Sequence, residues 1–299
     1  MAVAQQGIFA QGTRAHYQLE FDVLPAASVA EIRAALNRLH EPVVTAGGLN
    51  LVIGFGSELL ARIAPGEAPP ALKPFAPIDG PGGHAPATQH DLWIWLHGTG
   101  HDVVLDAARV VAAALAPVAR LALEQPGFVY RDSRDVTGFV DGTENPPVAE
   151  AHDVAVIPEG EIGAGGSFVV VIRWVHDLAA FHALPDSEQE AVFGRTKLES
   201  IELSDDVKPP TAHIARVVVD DERGEELEIF RRSVPYGTVE ELGLFFIAFS
   251  ADITRFEIML ARMFGTFGDG FSDHLLSFTK PVTGSFYFAP AVEILASIR

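Results

Sequence analysis

HYQLEFDVL (His16–Leu24) alternates apolar and polar residues, which makes it a strand with two different faces. Working outward from it, Ser28 is placed to cap a helix, with Glu31 three residues on as in a capping box. Ile32, Leu36 and Leu39 give that helix one apolar face, to about His40. LNLVIGF (Leu49–Phe55) and QHDLWIWLH (Gln89–His97) are predicted strands, the latter bearing Trp93 and Trp95. The intervening stretch from Ala64 to Pro86 is dense in Pro and Gly and reads as an irregular excursion. Asp102 is predicted to cap a long helix to about Ala119, and Gly127–Tyr130 to form a short last strand. The order is β-α-β followed by β-α-β. That is the ferredoxin-like plan, one antiparallel sheet with helices on one face.

The plan returns after residue 147. SFVVVIRWV (Ser167–Val175) has almost no polar face and is therefore expected to be buried on both sides. Helical segments are predicted at about Leu178–Ala183 and Ser187–Phe193. Ile214–Val219 is predicted as a strand, paired with Leu227–Phe230 around Arg223-Gly224. LGLFFIAFS (Leu242–Ser250) is an apolar strand, Ile253–Phe264 an amphipathic helix, Ser285–Ala289 a closing strand and Ala291–Ile298 a terminal helix. The fold class is α+β.

Composition narrows the chemistry. The chain has 299 residues, 48% hydrophobic and 20% charged, with a net charge of -19 and four lysines. That acidity speaks against nucleic-acid partners and suits neutral or cationic small substrates. No apolar run approaches a membrane span, and Met1–Gln6 shows no secretory pattern, so a cytoplasmic location is expected. There are no cysteines, which excludes disulfides, thiolate nucleophiles, iron–sulfur clusters and thiolate-ligated haem. A metal would have to be held by the remaining ligand types, above all the 11 histidines.

Three polar features meet strand ends in the second half. GFVDGTENPP (Gly138–Pro147) is built of turn formers and carries one carboxylate, Asp141, ahead of a glycine; by itself it reads as a surface turn. His213 stands before the predicted strand in PPTAHIAR (Pro209–Arg216). Arg231 and Arg232 stand in FRRSVPYG (Phe230–Gly237). Strand alternation puts Arg231 and Ser233 on one face and Arg232 on the other. Singly, each of these residues is more often structural than catalytic. One His, one carboxylate and one Arg around an aromatic-walled pocket, however, suit a haem peroxidase. The His ligates iron, the carboxylate moves the peroxide proton and the Arg stabilises the departing hydroxide. His97 and His101 have metal-ligand spacing, but Gly98-Thr99-Gly100 between them makes a turn.

GFVDGTENP (Gly138–Pro146) resembles the GxxDG motif of the dye-decolourising peroxidases. FGRTK (Phe193–Lys197), AHIAR with His213, EIFRRSVPYG (Glu228–Gly237), GLFFIAFS (Gly243–Ser250) and FTKPVTGSFYFAP (Phe278–Pro290) are similar to that family's compact B-type branch. The resemblance covers nearly the whole chain. It implies two ferredoxin-like domains, 1–135 and 136–299. Each would be a four-stranded antiparallel sheet with helices, together forming a dimeric α+β barrel-like arrangement. It further implies one haem b per chain in the second domain, with His213 as the proximal ligand and Asp141 and Arg231 on the distal side.

Gly142, Thr143 and Glu144 match the loop backbone over the haem edge. Asn145 and Arg195 are candidate propionate neighbours, Ser233 a distal polar residue and Phe246 distal cover. Asp273 is the candidate hydrogen-bond partner of His213, its alternative role being to cap the turn that follows it. The implied reaction reduces hydrogen peroxide and oxidises dyes, phenolics or other one-electron donors through a ferryl intermediate. Asp141, taken as an ordinary carboxylate, implies best activity at acid pH. A homo-oligomer is expected, and a non-enzymatic haem carrier or sensor is the alternative.

Overall fold

A computed structural model of the chain describes residues 2–39 and 48–298. In the first half run β1 (Ala15–Val23), α1 (Val29–Leu36), β2 (Asn50–Phe55), α2 (Ser57–Ile63), β3 (Ile78–Gly80), β4 (Gly83–Ala85), β5 (Leu92–Gly98), α3 (His101–Leu115) and β6 (Ala119–Phe128). The capping box forms as expected: the Glu31 amide donates to the Ser28 hydroxyl, and the Ser28 amide donates to the Glu31 carboxylate. His40, the predicted end of that helix, lies outside the described residues.

The second half contains α4 (Ala151–Ala155), β7 (Ser167–His176), α5 (Leu178–His182), α6 (Asp186–Phe193), α7 (His213–Val217), β8 (Phe230–Arg231), β9 (Val234–Gly237), β10 (Leu242–Ser250), α8 (Ile253–Phe264), β11 (Thr279–Pro281), β12 (Ser285–Ala289) and α9 (Val292–Ile298). Among the described residues no helix is long and apolar enough to cross a membrane.

Four predictions need correction. The irregular excursion contains a two-stranded ribbon, β3 with β4, and α2 precedes it. Asp102 is not a cap: α3 begins at His101 after Gly100 and ends at Leu115. The last strand of the first half is the ten-residue β6, not the short segment at 127–130. It lies at the sheet edge with most side chains exposed or half-buried, so it lacks the apolar signature of a central strand. Ile214–Val219 is not a strand, since His213–Val217 forms α7. Of its predicted pairing around Arg223-Gly224 there remain the antiparallel bridge between Asp220 and Glu226 and the Leu227 amide donating to the Val219 carbonyl, while Phe230 pairs with β10 instead.

Both halves are ferredoxin-like. Strand order is β6-β1-β5-β2 in the first and β12-β7-β10-β8 in the second, antiparallel throughout. The two sheets join where β12 meets β2, through the pair Phe288 and Phe55, giving one ten-stranded sheet. At the opposite edges β6 approaches β9 so closely that a Cβ on Gly127 would lie 2.7 Å from Val234. The result is a nearly closed, barrel-like arrangement.

Side-chain alternation sorts the sheet into two layers. Leu19, Phe21, Ile53, Ile94, Val170 and Ile172 face the helices. Val52, Trp93, Trp95, Val169, Phe245 and Phe249 face inward, where the two halves meet. Burial of β7 on both sides follows: Val170 and Ile172 serve one layer, Val169 and Val171 the other.

Phe249 of β10 packs across this seam, its ring centroid 6.2 Å from Trp93 and 6.1 Å from Trp95. Phe249→Ala is expected to cost about 3–5 kcal/mol in a urea unfolding series. A loss below about 1 kcal/mol would mean that the seam does not carry the fold.

Candidate active site

A cavity of about 1470 Å³, counting its open mouth, lies on the helix side of the second sheet. Its apolar wall is Val170, Ile172 and Trp174 of β7 with Leu244 and Phe246 of β10. Leu244 and Phe246 are half-exposed into it, while Phe245 and Ile247 between and beyond them are buried on the other face.

The loop at 133–147 forms a second wall. Its backbone folds on itself, with the Asp141 amide donating to Ser133 and the Gly138 amide to Asp135. Gly138 and Gly142 have φ of 95° and 80°, a conformation that other residues adopt only with strain. Between them Phe139 is the loop's anchor: it is buried and stacks on Phe193 with ring centroids 4.0 Å apart. Arg134 ties the loop to its neighbour by donating to the carbonyls of Gly138 (2.8 Å) and Lys197 (2.6 Å). Asn145 clasps β8, its amide donating to the Arg231 carbonyl at 2.8 Å and its oxygen accepting from the Arg231 amide at 2.8 Å. This brings Asp141 and Arg231, 90 residues apart in sequence, onto the same cavity.

Burial pushes the Asp141 carboxyl above its ordinary range, and the charge of Arg231 only partly opposes this. Burial likewise lowers Arg231, against the pull of Asp141 and Glu226. The Arg231 Nε is buried with no hydrogen-bond partner in the protein, leaving an orphaned donor at the cavity. The expectation of an ordinary carboxylate at Asp141 is therefore corrected.

His213 comes from α7. A five-residue helix has too few hydrogen bonds to stand alone, so its neighbours must hold it. Arg216 of α7 is buried and donates through Nε and Nη2 to the Arg262 carbonyl of α8, while Arg262 donates back to the carbonyls of Ala215 and Arg216. Asp269 closes the latch on Arg216 at 2.7 Å. His213 Nδ1 lies 2.6 Å from Asp273 Oδ2. Asp273 Oδ1 at the same time accepts from the Leu275 amide at 2.9 Å, so Asp273 both caps the next turn and orients His213. With Nδ1 engaged, Nε2 is the nitrogen left for the cavity that His213 lines.

The other sequence candidates are placed as follows. Gly142, Thr143, Glu144, Arg195 and Phe246 line the cavity. Arg195 is ion-paired with Glu144, which ties the loop to the segment after α6. Asn145 and Ser233 do not line it: Asn145 is spent on the β8 clasp, and Ser233 sits between β8 and β9, accepting from the Ile247 amide. His97 is no ligand, because Thr13 and Gly7 occupy both its ring nitrogens. Sequence reasoning missed Phe139, Arg134 and Arg216. Phe139 alone had a visible signal, as the one large apolar side chain next to Asp141 in a turn.

Residues 5–129 match the family model for the N-terminal domain of Dyp-type peroxidases, and residues 132–294 match that for the C-terminal domain. The chain belongs to the Dyp-type peroxidase family. It is 39% identical over 274 residues to the dye-decolorizing peroxidase of Rhodococcus erythropolis, covering 90% of this chain and 80% of that one. Its fold superposes on DyPB of Rhodococcus jostii with a TM-score of 0.90 at 33% identity, covering 99% of each chain. A DypB variant solved in complex with heme superposes equally, at TM-score 0.90 and 33% identity over 100% of both chains.

As a Dyp-type peroxidase the chain is a haem-dependent oxidoreductase that acts on hydrogen peroxide, and the non-enzymatic carrier is not favoured. The cavity fits the cofactor. It is apolar on the sheet side and is lined by an imidazole whose Nδ1 is already committed to Asp273 and by a guanidinium with an orphaned donor.

A carboxyl raised by burial stabilises the fold while protonated, and that contribution is lost as pH rises through its folded-state pKa, here above the ordinary 3.8. Asp141→Asn should therefore match the wild type in thermal midpoint at low pH and exceed it at neutral pH. Equal midpoints across the whole range would show that Asp141 ionises in the fold at no cost.

Proposed function

We propose that His213 is the axial ligand of one haem b per chain and that Asp141 and Arg231 work the peroxide on the opposite face. The single observation that supports this most is the shared cavity. A His with Nδ1 committed to a carboxylate, a carboxyl raised by burial and a buried Arg with a spare donor all line it. On this reading the domain division falls at 135/136, within the loop that bears Asp141.

Bound haem would supply the iron that accepts the two oxidising equivalents of peroxide and passes them on singly to donors. The chain's own residues set the conditions. Asp273 accepts the Nδ1 proton of His213, fixing its tautomer and making Nε2 a more electron-rich ligand. Asp141 takes the proton from the inner peroxide oxygen and returns it to the outer one. Its raised pKa lets it act both as base and as acid under milder conditions than an ordinary aspartate. Arg231 stays cationic despite its burial and presents donors to the hydroxide as it leaves. The apolar wall of Ile172, Leu244 and Phe246 keeps bulk water off that exchange.

The donors are small, or reach the cavity only at its edge; of the acidic side chains that line it Glu144 is ion-paired with Arg195, which leaves Glu226 and Glu228 as an acidic rim. That rim favours neutral and cationic donors over anionic ones.

Reconstitution with haem and an absorption spectrum test the ligand. A Soret band present in the wild type and absent in His213→Ala is expected. Its persistence with unchanged position would remove His213 from the iron. Stopped-flow mixing with hydrogen peroxide tests the other face: Arg231→Ala should slow the first reaction by about 10²–10³-fold. An unaffected rate in Arg231→Ala would overturn its assignment, and the same measurement on Asp141→Ala ranks the two residues.

A further inference from the structure

The inward face of β1 carries His16, Gln18 and Glu20 at alternate positions, all buried where the two halves of the molecule meet. Each leaves one polar atom without a protein partner: His16 Nε2, Gln18 Nε2 and Glu20 Oε1. Such groups are costly in a core, and the peroxide chemistry described above uses none of them. Their neighbours are redox-active side chains. Tyr287 of β12 donates its hydroxyl to Glu20 Oε2 at 2.7 Å. Its ring stacks on Trp93 of β5 across the seam, with centroids 6.1 Å apart and planes 17° off parallel. Trp93 stacks in turn on Trp95 at 6.3 Å. The stack needs Gly54 on β2, where a Cβ would come 2.9 Å from Trp93 and 3.1 Å from Tyr287.

Tyr287 pairs in register with Val169 on β7, and the next residue of β7, Val170, walls the cavity on the opposite face. One layer of sheet therefore separates the phenol from the cofactor cavity, on the order of 10 Å. We propose that Tyr287, with Glu20 as its proton acceptor, is a buried redox site that takes up an oxidising equivalent from the haem when no donor is present.

In that step Tyr287 loses one electron to the cofactor that peroxide has oxidised. Its O–H bond breaks, and the proton forms a new O–H bond on the Glu20 carboxylate. A neutral phenoxyl radical remains on Tyr287. Glu20 keeps acceptor capacity to spare, since Oε1 has no partner.

The electrostatics place the hole on Tyr287 rather than further along the stack. The buried guanidinium of Arg232 lies 5.1 Å above the Trp95 ring and opposes positive charge there. The other three tyrosines are less suited. Tyr236 donates to a backbone carbonyl, that of Trp174, which cannot take a proton. Tyr17 donates to Glu124, but on the helix face of the first half. Tyr130 lies in the turn beyond β6, its ring beneath the Arg131 guanidinium.

This proposal rests on the haem-peroxidase reading, and freeze-quench electron paramagnetic resonance of the holoenzyme tests it separately. Peroxide is added without donor. A tyrosyl radical is expected in the wild type, lost in Tyr287→Phe and strongly diminished in Glu20→Gln. It should persist in the triple variant Tyr17→Phe, Tyr130→Phe, Tyr236→Phe, which keeps Tyr287 alone and remains informative should Tyr287→Phe fold poorly. Tyr287→Phe should also bleach its haem absorption faster under excess peroxide. A tyrosyl signal that survives Tyr287→Phe, or disappears in the triple variant, overturns the proposal. So does a wild type whose haem spectrum responds to peroxide while no tyrosyl radical forms. A protein that binds no haem would overturn the peroxidase reading and this proposal with it.

Discussion

A strand without a polar face has to be covered on both sides, and β7 is such a strand at the centre of the second sheet. Much of the molecule answers that need. The first half packs its own inward layer, Trp93, Trp95 and Val52, against Val169 and Val171. The other face is covered only in part by helices. What remains open is the cavity, and the residues lining it all lie at or after Asp135. The first half thus acts on the site through the sheet: it buries the inward face so that the outward one can be left as a pocket.

Keeping polar groups in that pocket is costly, and the structure shows how they are held. Burial disfavours the charged forms of Asp141 and Arg231, and each is the other's main compensation. Neither stays in place through its own contacts. Phe139, stacked on Phe193, pins the loop that carries Asp141, and the Asn145 clasp fixes the spacing to Arg231. His213 depends in the same way on reciprocal bonds between Arg216 and Arg262 across two helices. Removing any of these supports would disorganise the site without touching a reacting atom, because the precision comes from packing and not from the functional side chains.

The interior between the halves has a different character from the cavity side. It combines stacked indoles with a buried carboxyl, two histidines kept neutral and a desolvated guanidinium. Burial, helped by the nearby charge of Arg232, pushes His16 down to about 3 and His97 to about 2. Arg232 itself is lowered to about 10. A purely structural seam would be more stable if it were apolar. Polar atoms kept there at a cost fit a chemical use of the seam, and Tyr287 is the residue best placed for one.

Much of this was legible in the chain. Alternation and capping chemistry marked most strands and the larger helices, and the ordered recurrence of β-α-β units named the ferredoxin-like plan twice. Local pattern also singled out Asp141, His213 and the Arg231-Arg232 pair, because turn glycines and paired charges are visible one segment at a time, while the resemblance to the dye-decolourising peroxidases assigned Arg231 its distal role and added Asp273 as the partner of His213. Pattern failed where a distant contact outweighed local preference. The β-branched run after His213 reads as a strand, yet the bonds between Arg216 and Arg262 fold it into a helix. Asn145 looked like a pocket residue, but its side-chain amide is spent on the Arg231 backbone, and the Ser233 hydroxyl accepts from the Ile247 amide outside the cavity lining. The sequence by itself therefore determined the elements, the halves and the chemical types at the site. Tertiary structure alone decided which of those residues share a cavity, how far burial shifts their proton affinities and which aromatic rings stack across the seam. Those depend on contacts between segments far apart in the chain, and no local pattern encodes them.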